Sequence, residues 1–166
     1  PTGCNIIHLH NNDRENTFAI IFRTPPPDST GLPHILEHSV LCGSKKYPVP
    51  DPFVELLKGS MQTYLNAWTM LDSTIYPICS QIPKDFFNLA SVYCDAVFHP
   101  LLTKDTFYQE GHHLELQDPD NIDSPLFISG VVYNEMKGAF SSPEGLLDRK
   151  ILEYLFPDSP YGKESG

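Results

Sequence analysis

Apolar, β-branched residues concentrate at positions 5–10 and 17–23, with a polar stretch at 11–16 between them. That pattern predicts a β-hairpin. A second hairpin is predicted from 63–68 and 74–78, joined by Met70-Leu71-Asp72-Ser73. Over 85–97 the spacing changes: Phe86, Leu89, Ala90, Tyr93 and Val97 make a helical stripe that stops before Pro100. A helix is expected to begin at Thr103 and carry Phe107, Glu110 and Leu114. Another opens at Ser124-Pro125 and carries Ile128, Val131, Val132 and Glu135. The last starts at Ser141-Ser142-Pro143-Glu144 with a capping box and runs through Ile151, Leu152 and Leu155.

Turn chemistry places two further helices. Residues 25–31, three prolines followed by Asp-Ser-Thr-Gly, read as a loop. A helix follows at once, with Ser29 or Thr30 as its cap and Pro33 in its first turn. Asp51-Pro52 is a second start signal, for a short helix over 53–58 that ends at Gly59. Strands paired in hairpins, rather than alternating singly with helices, define an α+β class. No internal repeat or linker divides the chain.

At 166 residues the chain suits one domain with a real core. It opens without a signal or transit segment and reads as a piece of a longer protein. No apolar run is long enough to span a membrane. The formal net charge of −10 argues against nucleic acid as the main partner and is compatible with cationic peptides. Cys4, Cys42, Cys79 and Cys94 form no C-x-x-C pair, so neither a cysteine metal site nor a redox motif is indicated.

The chemistry concentrates in His34-Ile35-Leu36-Glu37-His38. On a helix, positions i and i+4 share a face, so both imidazoles can reach one cation. Glu37 precedes the second ring and can serve as a general base. This H-x-x-E-H order is the inverse of the H-E-x-x-H zinc-protease order and needs a structural context to confirm it. Zinc in a hydrolytic site takes three protein ligands and leaves a position for water. Spacing alone does not pick the third: Glu110, Glu115 and Glu135 are candidates, and Glu135 lies on an apolar segment where a charge needs a partner. His8 and His10, two apart on a strand, and the adjacent His112 and His113 read as surface or capping residues.

Longer blocks surround the motif. Arg23-Thr24-Pro25-Pro26-Pro27-Asp28-Ser29-Thr30-Gly31-Leu32-Pro33 leads into it, and Ser39-Val40-Leu41-Cys42-Gly43-Ser44 follows. Further on come Leu65-Asn66-Ala67-Trp68-Thr69, Gln109-Glu110-Gly111 and Val132-Tyr133-Asn134-Glu135-Met136-Lys137-Gly138. Together these resemble the presequence-degrading, falcilysin-like branch of the pitrilysin, or inverted-zincin, metalloproteases. The resemblance implies a two-layer fold of the mitochondrial-processing-peptidase type, a mixed or antiparallel sheet with helices packed on one face, here truncated. It implies that residues 1–166 are part of an N-terminal catalytic domain of a zinc endopeptidase, which degrades unfolded peptides such as cleaved targeting presequences in the mitochondrial matrix or another organelle. Glu135 would complete a zinc site with His34 and His38; Glu37 would be the base, and Glu110 would stand behind the ligands. Leu65, Asn66, Ala67 and Trp68 would form the edge strand that receives peptide, the alternative being an ordinary strand with Trp68 in the core. The C-terminal half of such an enzyme, absent here, contributes to catalysis in the family, so weak activity is expected of the chain alone. An inactive relative that binds peptide or plays a structural part is the alternative, although all four site residues are present.

Overall fold

A computed structural model describes residues 3–166. Its spine is a sheet in which strand β4 (Ser73–Ser80) pairs antiparallel with β1 (Asn16–Arg23) along its whole length, from Asn16 opposite Ser80 to Arg23 opposite Ser73. On the other side of β4 lie two short strands, β2 (Tyr64–Leu65) and β3 (Trp68–Thr69), in one continuous register. Helices α1 (Leu32–Val40), α2 (Pro52–Gly59) and α3 (Pro83–Phe98) cover one face of this sheet. The core forms there from Val40 of α1, Leu65 of β2, Tyr76 and Ile78 of β4, and Leu89 and Tyr93 of α3. Helices α4 (Lys104–Glu110), α5 (Val131–Ala139) and α6 (Pro143–Leu155) follow, with a hairpin of β5 (His113–Leu116) and β6 (Leu126–Ser129) between α4 and α5. The class is α+β with antiparallel sheets, as the sequence pattern predicts. Among the described residues no helix is long and apolar enough to cross a membrane.

The break between β2 and β3 has a cause in β4. Pro77 lies opposite Asn66 in the register and has no N–H to give. Asn66 donates its own amide to the Pro77 carbonyl at 3.3 Å. Its carbonyl, deprived of the returning bond, accepts instead from the Tyr93 hydroxyl of α3 at 3.1 Å. The 63–68 strand is therefore two pieces rather than one.

Several expectations give way. Residues 5–10 form no strand; β1 pairs with β4 instead, and Ile6 stands 92 % exposed. Apolar side chains at both parities of that stretch (Ile6, Ile7, Leu9) leave it no single face to bury. Helix α1 is not capped by Ser29 or Thr30: the Thr30 amide turns back to Asp28, and the cap is Gly31, whose left-handed φ of 74° suits glycine. Leu114 and Ile128 belong not to helices but to β5 and β6, where they face each other. The period-2 apolar pattern of Leu114, Leu116, Leu126 and Ile128 was the overriding signal, with Gly111 and Gly130 as its boundaries. His113 accordingly sits in a strand, and α5 begins only after Gly130. Ser142 caps α6 by accepting from the Gly145 amide, but Glu144 falls one position short of closing a box.

Candidate metal centre

Helix α1 lies against β3 and packs beside α4 and α5. Its amide at His34 is met by the Ser165 carbonyl at 3.1 Å, which occupies a donor that the first helical turn leaves free. The i, i+4 spacing then stacks the His34 and His38 rings on one face, with centroids 4.8 Å apart. The β5–β6 hairpin ties the end of α4 to the start of α5. Gly130 makes this closure possible, because a Cβ there would come within 2.1 Å of the Gly111 carbonyl oxygen. Glu110, last in α4, and Glu135, in the second turn of α5, are thereby both carried to α1.

Glu135 faces both rings. Its two oxygens lie 3.8 Å from His34 Nε2 and 3.8 Å from His38 Nε2. The ligand atoms of His34, His38 and Glu135 all fall within 4.8 Å of one another. Tetrahedral ligands around zinc stand about 3.4 Å apart, from bond lengths near 2.0–2.1 Å, so a modest contraction suits a cation. The spacing is too long for a hydrogen bond. With both rings neutral and unprotonated at Nε2, two nitrogen lone pairs and a carboxylate confront each other, an arrangement that calls for a positive charge between them. The donor set, two imidazoles and a carboxylate, suits zinc.

Behind His38, Glu110 is buried and accepts from Nδ1 at 3.1 Å, which directs Nε2 toward Glu135. Gln109 Nε2 holds the other Glu110 oxygen at 2.8 Å. Burial disfavours the charged form of the His38 ring, yet the Glu110 hydrogen bond and the charges of Glu37, Glu110 and Glu135 carry its pKa above the ordinary value. At His34, burial and the neighbouring His38 push the pKa down. The His38 contact in turn holds Glu110 below the usual carboxylate range, against its burial. The Cys42 thiol is pushed up to about 12 by burial and by the Glu110 charge, which leaves it inert.

Glu37 is buried beside the rings, and its Oε2 accepts from Thr69 Oγ1 of β3 at 2.6 Å. The Glu135 side chain is 55 % exposed, so the centre opens to solvent on that side. Glu115, the remaining carboxylate candidate, lies on β5 in an ion pair with His113 at 3.0 Å instead.

The edge formed by β2 and β3 is unpaired on its far side among the described residues. Asn66 and Met70 commit their amides to Pro77 and Ser73. By alternation, the backbone groups of Leu65, Ala67 and Thr69 face outward from the sheet. Leu65 and Ala67 turn their side chains into the core, whereas Trp68 is 43 % exposed and lies beside Tyr64 with ring centroids 5.9 Å apart. Trp68 is therefore not a core residue. Thr69, bonded to Glu37, and Gln109, bonded to Glu110, are neighbours of the site that the sequence did not point to. Strand alternation from Leu65 would have turned Thr69 inward; Gln109 carried no signal beyond its place beside Glu110.

An α+β scaffold that presents two histidines and a carboxylate on facing helices defines a candidate metal-hydrolase centre. Two of the curated relatives that the chain matches are named as proteases. Over 99 % of its length the chain is 54 % identical to "Presequence protease 1, chloroplastic/mitochondrial" of Arabidopsis thaliana and 50 % identical to "Presequence protease, mitochondrial" of Mus musculus. It is 53 % identical, over the same share, to "Protein HypA" of Clostridium perfringens. The likeness to presequence-degrading proteases read from the sequence is thus borne out. The chain spans only 15 %, 16 % and 17 % of those three relatives. No family model matches it.

Proposed function

We propose that this chain is part of the catalytic domain of a zinc endopeptidase that cuts unfolded peptides, cleaved targeting presequences among them. The observation that carries the reading is the convergence of His34, His38 and Glu135 on one point, with the buried Glu37 beside them. His34, His38 and Glu135 would hold the zinc; bound there, it would supply Lewis acidity that polarises a peptide carbonyl and acidifies water. Glu37 takes the proton of the attacking water and returns it to the departing amine. Glu110 keeps the His38 ring oriented throughout. The open edge at Leu65, Ala67 and Thr69 offers backbone donors and acceptors to any extended peptide, largely regardless of its sequence.

The relatives' names support the peptidase class and, in plant and mouse, an organellar setting. Because the matched relatives are several times longer, catalysis at full rate is assigned to the longer protein, with the remaining part closing over the peptide.

Zinc titration of the purified chain, followed by calorimetry and metal analysis, tests the reading. Stoichiometric zinc in the wild type, with affinity lost in Glu135→Gln, is the expected result. Equal zinc binding by both proteins would overturn it.

A further inference from the structure

Glu37 is adjacent in sequence to a proposed ligand, yet it is not among the residues whose ligand atoms converge. Its Oε2 is engaged by Thr69 Oγ1 at 2.6 Å, the short distance of a hydroxyl bonded to a carboxylate. A hydroxyl has one proton, so Thr69 fixes one oxygen and leaves Oε1 free. Thr69 sits on the same edge whose outward backbone groups suit an extended peptide, while its neighbour Trp68 points the other way. One residue thus joins the edge strand to the carboxylate.

We propose that Thr69 is a positioning residue for Glu37: its hydroxyl pins Oε2, keeps the carboxylate out of the ligand group, and presents Oε1 to the water proton in register with a peptide on the edge. This rests on the function proposed above. The β3 backbone, held by pairing with β4, makes the hydroxyl a fixed reference point rather than a mobile one.

The test compares Thr69→Val, which keeps the branched shape without the hydroxyl, with Thr69→Ser, which keeps the hydroxyl. Both are made in the full-length zinc-loaded protein, with Glu37→Gln as reference, and read by cleavage of a quenched peptide and by zinc affinity. Thr69→Val should lower kcat roughly 10- to 100-fold, the scale of a displaced catalytic group. KM should stay within about twofold and zinc affinity within about threefold, and Thr69→Ser should recover most of kcat. A Thr69→Val protein with unchanged kcat, or one that loses zinc in proportion to activity, would overturn the proposal. A loss confined to KM would do the same, since it would make Thr69 only a part of the peptide edge. Wild-type cleavage by Glu37→Gln would instead sink the base assignment itself, whatever Thr69 does.

Discussion

His38 donates Nδ1–H to Glu110 Oε2 at 3.1 Å while Nε2 of the same ring faces Glu135. The two ring nitrogens are thereby given separate tasks, and the tautomer that can bind a cation through Nε2 is fixed before any cation arrives. His34 has no carboxylate in that role: among the described residues its buried Nδ1 has no side-chain partner, and the ring meets the Gly166 backbone. Orientation of the centre therefore leans on Glu110. Glu110→Ala should weaken zinc binding by about 10- to 100-fold, measured by competition with a chelating dye. Glu110→Gln, which can still accept from Nδ1–H but lacks the charge, should fall between that variant and the wild type.

The centre is built on a small core, so damage there should reach it only through global stability. Ile78 is 0 % exposed and lies under α3, in contact with the cluster that holds Leu89 and Tyr93. Ile78→Ala should cost about 2–5 kcal/mol, for lost burial plus the cavity left behind. Urea denaturation of the metal-free chain measures this. Zinc affinity of the fraction still folded should remain that of the wild type, because the core cluster that holds Ile78 includes none of His34, His38, Glu110 and Glu135.

Much of this arrangement is written locally. Helix periodicity alone sets His34 and His38, the two proposed ligands, on one face with Glu37 beside them, and Pro33 and Asp51-Pro52 announce their helices directly. What lies beyond local pattern needs tertiary facts. Choosing Glu135 over Glu115 depends on a hairpin that turns the chain between α4 and α5, and Ser124-Pro125 imitates a helix start where a strand begins. Residues 5–10 have strand-like composition, yet they do not pair with β1, whose outer edge stays open among the described residues. The hydroxyl of Thr69 on Glu37 spans a separation that no periodicity encodes.

Tyr93 offers a test in which a hydrogen bond and a titration act in opposite directions. Its hydroxyl supplies the bond that Pro77 denies to the Asn66 carbonyl. Tyr93→Phe leaves that carbonyl without its donor, and about 1–3 kcal/mol should be lost near neutral pH. At high pH the titration opposes that loss. Burial, aided by the Glu37 charge, raises the Tyr93 pKa well above its ordinary value, and burial does the same for Tyr76. The unfolded chain releases these protons near the ordinary value of 10.0 while the native chain keeps them, so the native state binds more protons there. Stability is thus fully present below pH 10 and declines as pH rises beyond it. Tyr93→Phe removes one of the two phenols and should flatten that decline. Urea midpoints of both proteins measured from pH 7 to 11 should therefore draw together as the solution becomes alkaline. Midpoints that kept a constant separation across that range would show that the Tyr93 phenol ionises alike in the folded and unfolded chain.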